Sequence, residues 1–188
     1  MILRTAVLTA AVLAASSALA APKPGPHKTP PAAKPATAAA TDAAPGGPFD
    51  AREPGNLIAL LATLDAKGQV TAHDREGVLI RVTSPAGGFT VQYEGCNQQG
   101  HVCSAVQFDA SAEAKTATIA EINGFNQSSL ACRIFQDKAG KPHVLYSSLV
   151  FASSSRQDML THINAWRGCL ADFGGFLKDP PGYLAAAP

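Results

Sequence analysis

Residues 89–110 read FTVQYEGCNQQGHVCSAVQFDA. Phe89, Val91 and Tyr93 alternate with Thr90, Gln92 and Glu94, and Val106, Phe108 and Ala110 alternate with Ala105, Gln107 and Asp109. Period-two alternation of this kind describes two strands with one buried face each. If they form an antiparallel hairpin, setting Tyr93 opposite Val106 also sets Val91 opposite Phe108 and Phe89 opposite Ala110. Every inward residue then meets an inward residue, and a one-residue slip would turn all of them to solvent. The same register carries Cys96 to a position opposite Cys103, both on the face away from the core, where directly opposed Cβ atoms can bridge and only a bulge at Gly95 would spoil the geometry.

Working outward, the hairpin predicts an α+β domain. Before it, Pro54-Gly55-Asn56 precedes an apolar stripe, Leu57, Leu60, Leu61 and Leu64, which reads as a helix with Asn56 as N-cap and Lys67-Gly68 as its stop. Gln69 to Ala72 forms a short strand ahead of the turn at Asp74 to Gly77, and Val78, Ile80 and Val82 mark the strand that follows. After the hairpin, Thr118-Ile119-Ala120-Glu121 is a capping box opening a helix to about Ser128. Leu130 to Asp137 and His143 to Phe151 read as strands joined by a turn at Lys138 to Pro142. Ser155 to Asp158 is a second capping box, and Met159, Ile163, Trp166, Leu170, Phe173 and Leu177 continue from it as the longest apolar stripe. The expected order is helix, three or four strands, helix, two strands and a long C-terminal helix, with the helices on one face of an antiparallel sheet.

The N-terminus sets the chemistry open to the cysteines. Arg4, the apolar run from Ala6 to Ala15 and the small residues to Ala20 form a secretory signal pattern, with cleavage expected after Ala20 and no stable membrane anchor afterwards. Residues 21–48 are built largely from Ala, Pro, Lys, Thr and Gly and read as a disordered linker. Residues 49–188 then form a single domain. It holds 11 Lys and Arg against 13 Asp and Glu with no run of either sign, which disfavours a nucleic-acid partner. The expected location is periplasmic or secreted.

An exported chain with four cysteines is expected to oxidise. The hairpin register pairs Cys96 with Cys103, leaving Cys132, in step with Leu130 and Ile134 on a strand, to bridge to Cys169 on the last helix. A zinc site from Cys96, His101 and Cys103 would want a fourth ligand and a reducing compartment. A redox pair would want a Cys-x-x-Cys spacing or a neighbouring cation. His101 is thus read as an exposed loop residue. The serine clusters at Ser128-Ser129, Ser147-Ser148 and Ser153 to Ser155 lie outside any Gly-x-Ser-x-Gly elbow. No histidine pair has metal-helix spacing, and no glycine loop cradles phosphate ahead of a helix. No catalytic residue, metal or cofactor is assigned. Glu113 and Glu121 read as solvated or capping residues, and Trp166 as core. Asn123 and Asn126, three apart on one helix, are candidates either for a partner-binding patch or for amide bonds that fix the helix to a neighbouring strand.

The segments Tyr93 to Cys96, Cys103 to Phe108, Glu121 to Asn126, Asp137 to Gly140 and Trp166 to Phe176 resemble the bacterial YbjN-domain family over about Leu57 to Leu177. The Ile122-Asn123-x-Phe125-Asn126 segment is similar to that family's iNxWN helix, with Phe125 where tryptophan is usual. Ala152 to Ser155 departs from the glycine pair expected after the last strand. The resemblance implies a secretion-chaperone-like α+β fold, a sensory-transduction regulator and no catalytic residues. Fold analogy also suggests a homodimer. The expected function is a non-enzymatic binding or chaperone-like module docking a peptide or protein partner. The alternatives are a regulator acting through a partner and, last, a small hydrolase.

Overall fold

The computed structural model describes residues 48–75, 77–113 and 117–187. The expected signal segment and most of the expected linker lie outside the described residues. Six strands form one antiparallel sheet, β1 (Lys67–His73), β2 (Gly77–Ser84), β3 (Gly87–Glu94), β4 (Ala105–Ser111), β5 (Arg133–Gln136) and β6 (Pro142–Leu149), in the spatial order β1-β2-β3-β4-β6-β5. Four helices accompany it: α1 (Pro54–Ala62), α2 (Ile119–Ser128), α3 (Arg156–Lys178) and α4 (Pro180–Ala186).

The hairpin register is the expected one. Tyr93 faces Val106 and Val91 faces Phe108, and these rows extend through the sheet to Val78 and Ile80 on one side and to Ser148 and Tyr146 on the other. Val78, Ile80, Val82, Val91, Tyr93, Val106 and Phe108 are all buried. Helix α3 covers this face, with the Trp166 ring 5.7 Å from Phe108 and 5.6 Å from Phe89. Helix α1 covers the same face. It comes so near β1 that a Cβ at Gly68 would lie 3.1 Å from the Ile58 side chain. Helix α4 packs on the helical layer through Tyr183, which stacks on Phe125 of α2 and meets Phe176 of α3 edge-on. The opposite sheet face carries Arg81, Thr90, Asp109, Leu145 and Arg133 in one row.

Both capping boxes form. Thr118 Oγ1 accepts from the Glu121 amide at 3.2 Å while the Glu121 carboxylate accepts from the Thr118 amide at 2.7 Å. Ser155 and Asp158 make the same exchange at 3.1 and 2.8 Å. Each pair satisfies two amides that have no partner within the helix.

The boundaries differ from expectation at both ends of α1, at β5, at β6, which runs from Pro142 to Leu149 and leaves Phe151 exposed beyond it, and after α3. Helix α1 starts at Pro54, whose missing N–H costs nothing in a first turn, so the N-cap is Glu53. Asn56 lies inside the helix and its side chain donates to the Asp50 carbonyl at 3.1 Å. The helix stops at Ala62, and Lys67-Gly68 opens β1 instead of ending α1. Strand β5 is shorter than expected because Leu130 points to solvent, 98% exposed, and Ser129 Oγ accepts from the Cys132 amide in a turn. The short helix α4 has no counterpart in the sequence reading. It begins at Pro180-Pro181, with the Asp179 carboxylate accepting from the Gly182 amide.

Candidate functional site

Residues 96–103, between β3 and β4, form a loop tied to the chain entering α1. Asn97 Oδ1 accepts from the amides of Gln99 and His101 at 3.0 and 2.9 Å, an arrangement that closes the turn. Glu53 accepts from the Val102 amide at 3.1 Å and pairs with His101 Nδ1. The Cys103 amide donates to the Arg52 carbonyl at 3.0 Å. The His101 side chain, 47% exposed, is therefore engaged by a carboxylate.

The sulfurs of Cys96 and Cys103 lie 2.13 Å apart, with Cα atoms separated by 3.8 Å. Their predicted facing is right and their predicted side is wrong. Cys103 is fully buried and Cys96 packs against the core, where solvent exposure was expected. The cause is backbone geometry. Gly95 at φ 63° and Val102 at φ 54° both leave the extended region, so the strand alternation that would have turned the cysteines outward ends before it reaches them. A Cβ at Gly95 would also sit 2.2 Å from Ser104 Oγ.

The sulfurs of Cys132 and Cys169 lie 2.06 Å apart. Cys132 is in the turn before β5 and not on the strand, but it is buried as expected, as is Cys169 on α3.

The asparagines divide. Asn126 donates to the Ile134 carbonyl at 3.0 Å and accepts from the Ile134 amide at 2.8 Å. Its amide thus occupies the outer edge of β5 as a neighbouring strand would, blocking further pairing there. Asn123 is exposed.

A polar row that sequence spacing did not suggest joins β6 to α3. His162 Nδ1 lies 2.7 Å from the Tyr146 hydroxyl and Nε2 lies 3.5 Å from Ser148 Oγ. Burial pushes the Tyr146 phenol above its ordinary pKa. Ser148 Oγ also lies 3.2 Å from the Leu149 carbonyl, so its one proton has two acceptors within reach.

The best-formed concavity is an open groove of about 600 Å³. Leu61 and Leu64 of the α1 segment, Pro85 and Ala86 of the β2–β3 turn, Phe89 of β3 and Ile163, Trp166 and Leu170 of α3 supply its apolar lining. Two side chains of opposite charge also line it, Asp65 and Arg167. Asp65 follows α1 with φ 57°, a left-handed conformation that aspartate adopts more readily than most residues. Arg167 is exposed on α3 and makes no ion pair among the described residues. Trp166 is 1% exposed and its indole N–H has no acceptor among the described residues. It is core, as expected, and also groove wall. No sequence signal marked the groove, because its residues come from three separate segments.

An open antiparallel six-stranded sheet with four helices, the longest near the C-terminus, defines an α+β domain. The chain belongs to the YbjN family, described as "Putative bacterial sensory transduction regulator", whose profile matches residues 56–177. No curated protein and no solved structure matches the chain.

Proposed function

We propose that this chain is an exported, non-enzymatic recognition domain that docks a peptide or protein segment in the groove between α1, the β2–β3 turn and α3. The observation that carries this reading is the groove itself. Its size falls within the range of ligand pockets, and its apolar lining with a few polar groups is the usual composition of one. The family's regulatory description fits a domain that acts by changing partners. On that second reading the occupied groove is the signal and a bound partner relays it.

The test is a peptide-display selection on the full chain, repeated with Ala171→Phe. Ala171 lines the groove from the exposed side of α3, so phenylalanine there obstructs the groove without entering the core. Selected peptides are expected to lose binding to the variant while its helical circular dichroism is unchanged. Undiminished binding would remove the groove from the proposal. Export is tested separately by sequencing the N-terminus of the protein from a periplasmic fraction, where Ala21 is the expected first residue.

A further inference from the structure

The chemistry of the groove points to one kind of peptide. We infer that it takes the free C-terminal residue of a partner chain, with a large apolar side chain on Trp166, Phe89 and Leu170, the carboxylate at Arg167 and the terminal amide N–H at Asp65. This deepens the docking reading above and rests on it.

Charge is the main argument. Arg167 is the cation lining the groove, exposed and without an ion pair among the described residues. A guanidinium is a donor only, and its planar fork matches a carboxylate with two parallel bonds. The indole N–H of Trp166, also a donor only, lacks an acceptor among the described residues. That nitrogen is closed off from the surface, so the selection falls to Arg167. A cation beside an apolar floor calls for a ligand that brings acceptor oxygens next to a hydrocarbon group.

Asp65 narrows the class. It lines the same groove from the segment after α1, whereas Arg167 comes from α3. A carboxylate accepts only, so the ligand must also bring a donor. A fatty acid has no donor to offer. The last residue of a peptide has a carboxylate, an amide N–H and a side chain on adjacent atoms. A free amino acid has the same groups, but the groove is open and its volume of about 600 Å³ leaves room for the chain to continue.

The experiment uses the full chain and the fluorescence of Trp166, the only tryptophan in the sequence. The probes are N-acetylated pentapeptides, Gly-Ser-Gly-Ser-Phe as the free acid, the same peptide as the C-terminal amide, free phenylalanine and decanoate. The free acid is expected to bind at least about tenfold more tightly than the amide, the usual size of one charge-assisted contact. Arg167→Gln is expected to shrink that ratio below about threefold, and Arg167→Lys to restore part of it. The substitution lies on an exposed position, so folding is preserved, with circular dichroism as the control. Equal binding of acid and amide would overturn the C-terminal assignment while leaving peptide docking in place. Binding of decanoate or free phenylalanine as tight as that of the peptide acid would overturn it in favour of a small ligand. Failure of both peptides, together with failure of the display selection, would overturn the docking reading itself.

Discussion

Replacing Cys132 and Cys169 together with alanine should destabilise the domain more than replacing Cys96 and Cys103. The first pair closes a sequence separation of 37 residues and the second a separation of 7. On the chain-entropy account, the long loop restricts the unfolded chain by about 4 kcal/mol and the short one by about 2.5 kcal/mol. Packing losses do not reverse that order. Cys132, Cys169 and Cys103 are all buried and Cys96 packs on the same core, so each double substitution removes two packed sulfurs. The gap of about 1.5 kcal/mol corresponds to roughly 5 °C in Tm for a domain of this size. Non-reduced peptide mapping would first establish both links, and urea unfolding of the wild type and the two variants would then be extrapolated to water. A short-loop variant as unstable as the long-loop variant would refute the reasoning. It would show that the contacts of Cys103 outweigh loop length.

Asn126→Ala should cost about 2 kcal/mol in thermal or urea unfolding, because the amide of buried Ile134 loses its acceptor and the carbonyl its donor; Asn123→Ala, at an exposed position, should stay within about 0.5 kcal/mol. Acid should destabilise the domain through three carboxylates. The Arg52 guanidinium holds Asp50 below the ordinary range, the Lys141 amide does so for Asp137 and the Ser155 amide for Asp158. A lowered folded-state pKa gives stability that is present above the ordinary carboxylate pKa and lost as pH falls through the folded value. Stability is therefore expected to decline below about pH 4, and Asp158→Asn to flatten that limb in unfolding measured across acidic pH.

The fold was legible where local chemistry agreed with global packing. Alternation in β3 and β4 specified not only two strands but their pairing, because a single register buries Val91 and Phe108 together. Thr118 and Ser155 announced their helices because a capping box satisfies amides within a few residues of itself. Legibility ended where the backbone left regular geometry. The left-handed conformation of Gly95 and Val102 carried the cysteines to the core side, and alternation has no means of signalling that change. Pro180-Pro181 reads as a helix breaker, yet proline in a first turn is compatible with α4, whose position depends on Tyr183 reaching Phe125. Of the candidate site, Trp166 and Leu170 were visible as an apolar stripe. Their meeting with Leu61, Ala86 and Asp65 is a product of tertiary structure alone.

The long-range cysteine pair also determines how the domain would respond to force. A load applied between residues 48 and 187 would pass directly from Cys132 to Cys169 and leave the chain between them slack. That span contains β5, β6 and more than half of α3. Fully extended, its 37 peptide steps would measure about 120 Å, and none of that contour could be released while the link is intact. Pulled from its ends, the oxidised domain would lose its first four strands and α2 to extension while β5 and β6 stayed outside the line of tension. Reduction would restore the hidden length, most of it from this bond and a shorter part from the seven-residue loop of Cys96 and Cys103.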